Sequence, residues 1–357
     1  MSDAPSLSDL IDLQIRANGP ISLATYMGLA LTHPRAGYYT GTDPLGAKGD
    51  FITAPEISQM FGEFIGFYIV NLWQQLGEPK SFTLLELGPG RGTLMQDALR
   101  VAAKAEGFID ALHLQLFETN PALKAQQAER LGQFNPYWAT EIDAVAEDPL
   151  FVVANEFFDA LPIRQFVKGT NGWHERLIGL RDGKRAFGLS PTPIPEAALP
   201  PALHDSPEGA VYEVSLASAD AMQRLGKRIS ELGGGLLAID YGYAETQAGE
   251  TLQAIRRHAF ADPLETPGEI DLSAHVDFGA LATVATGLGL KPALTTQRDF
   301  LARLGIVERA SALAKANPAQ VDTIAAALRR LTDVSEMGTL FKVFAATSGE
   351  LEPIGFA

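Results

Sequence analysis

The sequence predicts an α/β protein with a doubly wound, mostly parallel sheet. Apolar runs too short for helices alternate with helical segments over most of the 357 residues. The run at 82–87 leads into a glycine turn and a helix, which is the arrangement of ligand-binding corners in doubly wound sheets. A last apolar segment at 338–347 has no helix after it, which predicts an antiparallel edge strand.

Composition excludes several kinds of site and partner. The 28 basic and 43 acidic side chains give a net charge of −15, which opposes binding to nucleic acid. Because the chain has no cysteine, disulfides, thiolate zinc sites and a cysteine nucleophile are excluded. His258 and His275 do not form a convincing metal-ligand pair with any nearby acid, and most lone histidines are structural, so no metal site is predicted.

The N-terminal residues MSDAPSLSDL lack the basic-then-apolar order of a secretion signal. No apolar run approaches the roughly 20 residues of a membrane span. We therefore expect a soluble cytoplasmic protein without membrane insertion, and the sequence leaves its oligomeric state open.

The N-terminal region, residues 1–78, is predicted to be helical with a lid. Ser6 or Ser8 caps a first helix, Ser22 opens a second, and an apolar helix runs over about 58–76. Between them lies a long loop rich in Gly, Pro and Tyr, and loops of that length in compact domains are often functional.

Part of this loop is a candidate ligand contact. The segment 49–56, GDFITAPE, could fold over a cofactor with Asp50 or Thr53 as hydrogen-bonding groups. A lid that only packs on the domain explains the same spacing.

The glycine turn indicates which cofactor binds. Gly88, Gly90 and Gly92 follow a strand that carries Glu86, and Thr93 opens the next helix. A dinucleotide site needs a later third glycine, and Glu86 would repel a nearby phosphate. S-adenosylmethionine has no phosphate, carries an ammonium and a sulfonium, and fits this pattern better. A dinucleotide or an empty turn remain the alternatives.

The second strand, 112–117, ends at Glu118, which lies 26 residues after Gly92. A carboxylate at this position can accept both ribose hydroxyls of an adenosine. The alternative is a charge that complements the dipole of the following helix.

The fourth strand, 150–154, is followed by Asn155, Glu156 and Asp159. These residues come level with the reactive end of a cofactor bound at the glycine turn. Glu156 and Asp159 share one face of a helical turn, where two carboxylates can hold a guanidinium and take up a proton. The alternative is that Asn155 caps a turn while Asp159 bonds backbone amides.

The rest of the chain completes the domain at 79–347, with a tail at 348–357. A β-meander and a Pro-rich connection form an insertion at about 163–210. The fifth strand ends in Asp240, which either lines the substrate channel, together with the nearby tyrosines, or orders a turn. A second insertion at about 245–277 is a candidate lid whose Arg256, Arg257 and His258 could contact a substrate chain.

Several motifs make the sequence resemble the MidA-type family of class I S-adenosylmethionine methyltransferases. They are HPRAGYY at 33–39, GDFITAPEISQMFGE at 49–63, LLELGPGRGTLMQDALR at 84–100, ANEFFDALPIRQF at 154–166, IDYGY at 239–243, PGEIDLSAHVDF at 267–278 and MGTLFKVF at 337–344.

The resemblance implies a Rossmann-like methyltransferase fold and a set of site residues. The methyl donor is expected at the loop 49–56, which includes Pro55, at the turn from Glu86 to Thr93, and at Glu118; Asn155 and Glu156 are expected beside the acceptor. Relatives often carry Ser in place of Asn120, a change that should leave the Glu118 carboxylate untouched.

The function expected from this family is arginine methylation of a protein, because its mitochondrial members are complex I assembly factors with that activity. A respiratory complex I subunit is therefore the expected substrate. A non-catalytic assembly chaperone that binds a respiratory subunit is the alternative. A dehydrogenase is disfavoured by the glycine spacing.

Overall fold

The computed structural model describes residues 5–41, 53–144, 147–349 and 351–356. In chain order, the strands are β1 (Ile21–Ser22), β2 (Phe82–Leu87), β3 (Leu112–Phe117), β4 (Tyr137–Trp138), β5 (Leu150–Asn155), β6 (Arg164–Gly169), β7 (Gly172–Arg181), β8 (Lys184–Leu189), β9 (Val211–Val214), β10 (Gly234–Tyr243), β11 (Gln253–Arg256), β12 (Ala259–Phe260), β13 (Asp271–Ser273), β14 (Val276–Asp277), β15 (Lys291–Thr296) and β16 (Phe341–Thr347). The α-helices are α1 (Leu7–Asn18), α2 (Leu23–Thr32), α3 (Ala54–Ile57), α4 (Gln59–Gln75), α5 (Thr93–Ala102), α6 (Phe108–Ala111), α7 (Pro121–Leu131), α8 (Leu216–Leu232), α9 (Phe278–Gly287), α10 (Gln297–Leu304), α11 (Ile306–Ala316), α12 (Val321–Thr332) and α13 (Met337–Leu340).

The main sheet has the order β15-β16-β10-β5-β2-β3-β4. Strands β10, β5, β2, β3 and β4 run parallel, and β16 is antiparallel to its neighbours β10 and β15. The antiparallel last strand is thus confirmed, but its predicted edge position is wrong. Strand β15 forms that edge, because the chain adds β15 before it returns through β16.

Both faces of this sheet are covered, as expected for a doubly wound fold. Phe151 and Val153 of β5 pack into the core that contains α4 and α5. The alternating residues Val152 and Ala154 pack into a second core with α8 and α9. Because successive side chains of a strand point to opposite faces, β5 is apolar along its whole length.

The register brings the carboxyl ends of four strands to one level. Leu87 of β2 lies opposite both Phe117 of β3 and Ala154 of β5. Asn155 lies opposite Ile239 of β10. The residues that follow these positions therefore meet at a single edge of the sheet, where ligands bind in such folds.

Some boundaries differ from the sequence expectations for local reasons. Helix α9 begins at Phe278 rather than near Val276, because β14 pairs with β10 and the Asp277 carboxylate accepts the Ala280 amide at 2.9 Å. The last strand begins at Phe341, since α13 precedes it.

The N-terminal helices pack on the inserted strands. Helix α1 opens with Ser6, whose side chain accepts the Asp9 amide in a capping box. Strand β1 pairs with β7 of the meander, and Ile11 is buried in one core with Leu272 of β13. The division into residues 1–78, 79–347 and 348–357 stays a prediction. Within the described part of the chain, every helix is too short or too polar to cross a membrane.

Candidate active site

A cavity of about 290 Å³ opens at the carboxyl edge of the main sheet. The glycine turn and the end of β3 form one wall, the segment after β5 forms the other, and the N-terminal region closes the side. The lining residues are Thr32, Tyr39, Gly88, Gly90, Phe117, Glu118, Thr119, Leu123, Glu156, Phe157, Ala160 and Leu161. The cavity therefore joins the predicted donor turn to the predicted acceptor residues.

The glycine turn has the backbone geometry that its sequence predicts. Gly88, Gly90 and Gly92 have φ values of 62°, 53° and 77°, a region that side chains disfavour. A Cβ atom on Gly88 would lie 3.3 Å from the Phe157 ring, and one on Gly92 would lie 3.2 Å from Leu131. Gly88 and Gly90 face the cavity, whereas Gly92 packs against α7.

Glu118 lies at the predicted ribose position. Its Oε1 accepts the amides of Thr119 and Asn120, each at 2.8 Å, and its Oε2 accepts Gln127 Nε2 at 3.3 Å. Burial raises its pKa. The Asn120 side chain has other partners than the Glu118 carboxylate. Its oxygen caps α7, and its Nδ2 donates to the Tyr39 carbonyl at 2.9 Å.

The sequence interpretation missed Gln127, a fully buried residue of α7. Its Nε2 donates to the Gly90 carbonyl at 2.6 Å and contacts Glu118, while its Oε1 accepts Trp138 Nε1 at 2.8 Å. Gln127 thus links the glycine turn to Glu118 and to β4. A glutamine on a helix gives no signal of such a role in the sequence.

Glu86 is almost fully buried at the end of β2. Burial, with a smaller contribution from Glu118, raises its pKa to about 8. Its Oε2 has no hydrogen-bond partner among the described residues. This oxygen can serve a polar group of a bound cofactor.

The N-terminal contacts predicted for the donor are partly described. Ala54, between Thr53 and Pro55, donates its amide to Glu156 Oε1 at 3.4 Å. The Thr93 hydroxyl donates to Glu56 at 2.5 Å, so this side chain already has a protein partner. Asp50 lies outside the described residues. The cofactor roles of Asp50, Thr53, Pro55 and Thr93 stay predictions.

Asn155 and Glu156 form a strained corner after β5. Glu156 has a φ of 49°, which is unfavourable for a residue with a side chain, and its amide donates to the Ile239 carbonyl at 2.9 Å. Asn155 Nδ2 donates to Glu156 Oε1 at 3.1 Å, and Asn155 Oδ1 has no partner among the described residues. Burial and the nearby Asp159 raise the pKa of Glu156 to about 8.

Asp159 is buried three residues after Glu156, in a turn and not in the helical turn expected from the sequence. Its Oδ2 accepts the Tyr241 hydroxyl at 2.6 Å, and its Oδ1 has no hydrogen-bond partner among the described residues. Burial raises its pKa to about 6, against a lowering by the Tyr241 hydrogen bond. An acid held by one hydroxyl with a second oxygen unpartnered can bind a donor group on a ligand.

Asp240 orders a turn, although not the turn that follows it. Its Oδ2 accepts the amides of Phe158 and Asp159 at 3.0 and 3.2 Å, and its Oδ1 accepts the Tyr241 amide at 3.0 Å. Burial and the charges of Asp159 and Glu156 raise its pKa. Asp240 therefore holds the segment after β5 against β10.

A fourth acid, Asp271 of β13, completes a set that we call the acid cluster: Glu156, Asp159, Asp240 and Asp271. Asp271 is 7% exposed and accepts the Tyr39 hydroxyl at 2.7 Å. Its charge contributes to the raised pKa of Glu156. Burial raises the pKa of Tyr39, and the charges of Asp271 and Asp159 raise it further. Negative charge is unfavourable among four acids so close together, and a cationic ligand would stabilise their ionised forms.

A protein-family model described as "Putative S-adenosyl-L-methionine-dependent methyltransferase" matches residues 64–296. The chain belongs to this family. Among curated relatives, the mitochondrial protein arginine methyltransferase NDUFAF7 of Danio rerio is 36% identical over 358 residues, which cover 93% of this chain and 84% of that protein. The Drosophila melanogaster homolog is 34% identical over 377 residues, which cover 97% and 86%.

A solved structure agrees with this assignment. A Burkholderia thailandensis protein bound to S-adenosyl-homocysteine matches with a TM-score of 0.87 at 29% identity, over 98% of this chain and 93% of that chain. The predicted methyltransferase family, its α/β fold and S-adenosylmethionine as cofactor are thus confirmed. The individual site residues are not tested by these comparisons.

One expectation is wrong. We expected a cytoplasmic protein, but the curated methyltransferase relatives of Danio rerio, Drosophila melanogaster and Xenopus tropicalis are named as mitochondrial. The physical reason is that the basic-then-apolar pattern identifies secretion signals only. Its absence therefore carries no information about other compartments.

Proposed function

We propose that this methyltransferase transfers the methyl group of S-adenosylmethionine to a guanidinium nitrogen of arginine in a protein. The observation that carries the proposal is the acid cluster beside the donor cavity. Its members Asp159 and Glu156 carry raised pKa values, and Asp159 Oδ1 has no hydrogen-bond partner among the described residues. A guanidinium offers five N–H donors and a fixed positive charge, which satisfy such oxygens better than a neutral acceptor does.

The cavity residues fit the methyl donor. Gly88 and Gly90 have positive φ values and line the cavity, where a residue without a side chain lets a ligand approach the backbone closely. Glu118 is fixed by two amides, and its other oxygen contacts Gln127. We propose that Glu118 accepts the ribose hydroxyls, as its position at the end of β3 predicts. When bound, S-adenosylmethionine supplies an electrophilic methyl group on a positively charged sulfur.

On the acceptor side, each acid has a distinct role in the proposal. Glu156 and Asp159 accept N–H groups of the guanidinium and orient one terminal nitrogen toward the methyl group. When that nitrogen forms its bond to the methyl carbon, the bond from this carbon to sulfur breaks and its electrons stay on sulfur. The nitrogen then loses a proton, which a carboxylate of Glu156 or Asp159 accepts.

We propose a respiratory complex I subunit as the acceptor protein. The family resemblance implies this substrate, and the printed names of the relatives support a protein arginine acceptor in mitochondria. Charge supports a cationic acceptor as well, because the chain has a net charge of −15 and Glu156 of the acid cluster lines the cavity.

The test is transfer of a radiolabelled methyl group into purified complex I subunits and a cell extract, followed by amino-acid analysis of the labelled protein. Methylarginine in one subunit is the expected result. Asp159→Asn should abolish it, whereas Asp322→Asn, an exposed acid of α12, should not. Label in lysine or histidine would refute the arginine acceptor, and no label at all would favour a non-catalytic chaperone.

A further inference from the structure

The small sheet β12-β11-β13 carries an aromatic side chain in line with the acid cluster. Ile255 of β11 pairs with Asp271 of β13 on one side and with Phe260 of β12 on the other. Directly opposite residues of antiparallel strands project from the same face of a sheet. Phe260, Ile255 and Asp271 therefore form one row, and the Asp271 end of this row accepts the Tyr39 hydroxyl at the cavity.

Exposure increases along this row away from the cluster. Asp271 is 7% exposed, Ile255 is partly exposed, and Phe260 is 81% exposed, the highest value among the large hydrophobic side chains of the described residues. The other face of the small sheet is covered, because Ala254 and Leu272 are buried in the core of the N-terminal helices. The Phe260 end of the row is thus open to solvent, on a sheet whose other face is packed on the N-terminal helices.

The hairpin turn holds Phe260 in a defined place. Arg257 and His258 have φ values of 52° and 62°, the pattern of a type I′ turn, which usually contains Asn and Gly. At the base of the turn, Arg256 donates to the Thr266 hydroxyl at 3.3 Å. The aromatic ring is therefore presented to solvent by an ordered hairpin.

We infer that Phe260 and Ile255 form a docking shelf for the polypeptide segment that carries the acceptor arginine. This inference rests on the proposed function, since the acid cluster must hold the guanidinium at the inner end of the row. The occupant is an extended segment with an aliphatic or aromatic side chain near its arginine. The strand pairing that places Phe260 and Ile255 in one row with Asp271 of the acid cluster selects this occupant, and so does the match between the acidic cluster and a cationic arginine.

The spacing of the row sets the position of that apolar side chain. Adjacent strands lie about 4.8 Å apart, so the backbones of Phe260 and Asp271 are separated by about 10 Å. A segment in the extended polyproline II conformation advances about 3.1 Å per residue and has three residues per turn, so a side chain three residues from the acceptor arginine projects to the same side about 9 Å away. Burying such a side chain on the ring should strengthen binding roughly tenfold.

The probes are fluorescein-labelled Gly–Ser peptides with one arginine and one phenylalanine, placed three residues before or three residues after it. Their affinity is measured by fluorescence anisotropy with S-adenosylhomocysteine present. We expect one of the two peptides to bind roughly tenfold more tightly than its Phe-to-Ser version. Phe260→Ser should remove this advantage, and Phe67→Ser, a control at a half-exposed aromatic ring of α4, should keep it. Thermal melting verifies that both variants are folded.

The outcomes separate this inference from the proposed function. An advantage that persists in Phe260→Ser, or the absence of any advantage, overturns the docking shelf and leaves arginine binding standing if arginine is still required. If a citrulline peptide binds as well as the arginine peptide and the phenylalanine advantage remains, the proposed arginine site fails. Phe260 then binds an apolar segment that does not depend on an acceptor arginine, which overturns the shelf as well. Self-association that Phe260→Ser abolishes would assign the face to a second copy of the chain and also overturn the shelf.

Discussion

Replacing Glu156 with Gln should lower methyl transfer and raise the free energy of unfolding. This combination is not expected for a residue with a purely structural role. Gln keeps an oxygen for the Asn155 and Ala54 contacts at 3.1 and 3.4 Å, so the corner after β5 should keep its shape. It removes the negative charge that the acceptor guanidinium needs. It also removes a carboxyl whose pKa is raised from 4.5 to about 8 in the folded protein.

The magnitude on activity follows from the lost charge. A hydrogen bond to a charged group contributes about 1.5–3 kcal/mol, and proton transfer by a positioned side chain contributes a factor of roughly 10² or more. We expect kcat/KM for the protein acceptor to fall by roughly 10²–10³. Affinity for S-adenosylhomocysteine should stay within about a factor of two, because the predicted donor contacts are elsewhere.

The effect on stability has the opposite sign. A carboxyl with a raised pKa binds its proton more tightly in the folded state than in the unfolded state, so the unliganded protein loses stability as pH rises from 4.5 to about 8. The shift corresponds to at most about 5 kcal/mol, and partial exposure of Glu156 to the cavity reduces this to roughly 2–3 kcal/mol. Glu156→Gln should therefore gain stability over the natural protein above about pH 8 and little below about pH 4.5.

The assay pairs methyl transfer with thermal or urea unfolding over this pH range, and isothermal titration measures binding of S-adenosylhomocysteine. Glu308→Gln, at an exposed acid of α11, is the matched control and should change none of these quantities. Unchanged methyl transfer in Glu156→Gln would remove this residue from the mechanism. A loss of stability at alkaline pH would refute the argument that the buried charge is unfavourable in the unliganded protein.

Three further substitutions test the donor side and the hairpin. Gly88→Ala places a Cβ in the positive-φ region, 3.3 Å from Phe157, so we expect a loss of about 1 kcal/mol in the unfolding free energy and weaker S-adenosylhomocysteine binding by titration. Gln127→Leu removes the donor to the Gly90 carbonyl and should lower cofactor affinity roughly tenfold, while unchanged affinity would make this contact irrelevant to the site. His258→Gly should relax a φ of 62° and raise the unfolding free energy by about 0.5–1 kcal/mol in urea titrations, and a destabilised variant would contradict the strain assigned to this turn.

Several parts of the site could be predicted because their signals are local. The run at 82–87 and the three glycines after it specify a strand and a positive-φ turn through neighbouring residues alone. The positions of Glu118, Glu156 and Asp159 follow from the same rule, since parallel strands in one sheet end at one edge. The resemblance to methyltransferases then indicates which cofactor this local pattern binds.

Other residues carried no signal of their own. Asp271 lies 112 positions beyond Asp159, and it joins the acid cluster only because β13 folds back against the N-terminal region, where Tyr39 donates to it. In the sequence, Gln127 cannot be distinguished from other helix residues. Only the folded structure shows that its side-chain amide donates to the Gly90 carbonyl. Pairing of β15 with β16 likewise decides the edge of the main sheet.

The difference has a physical cause. Strand periodicity, helix caps and glycine turns depend on residues within a few positions of each other, so the amino-acid sequence is enough to determine them. Hydrogen bonds between distant segments depend on which surfaces pack together, and that is set by burial of the whole core. The motifs alone therefore determined the strands, the glycine turn and the acids at the strand ends. Packing decided that Tyr39, Asp240 and Asp271 lie around Glu156 and Asp159, at the proposed acceptor pocket, and that Phe260 lies in one row with Asp271.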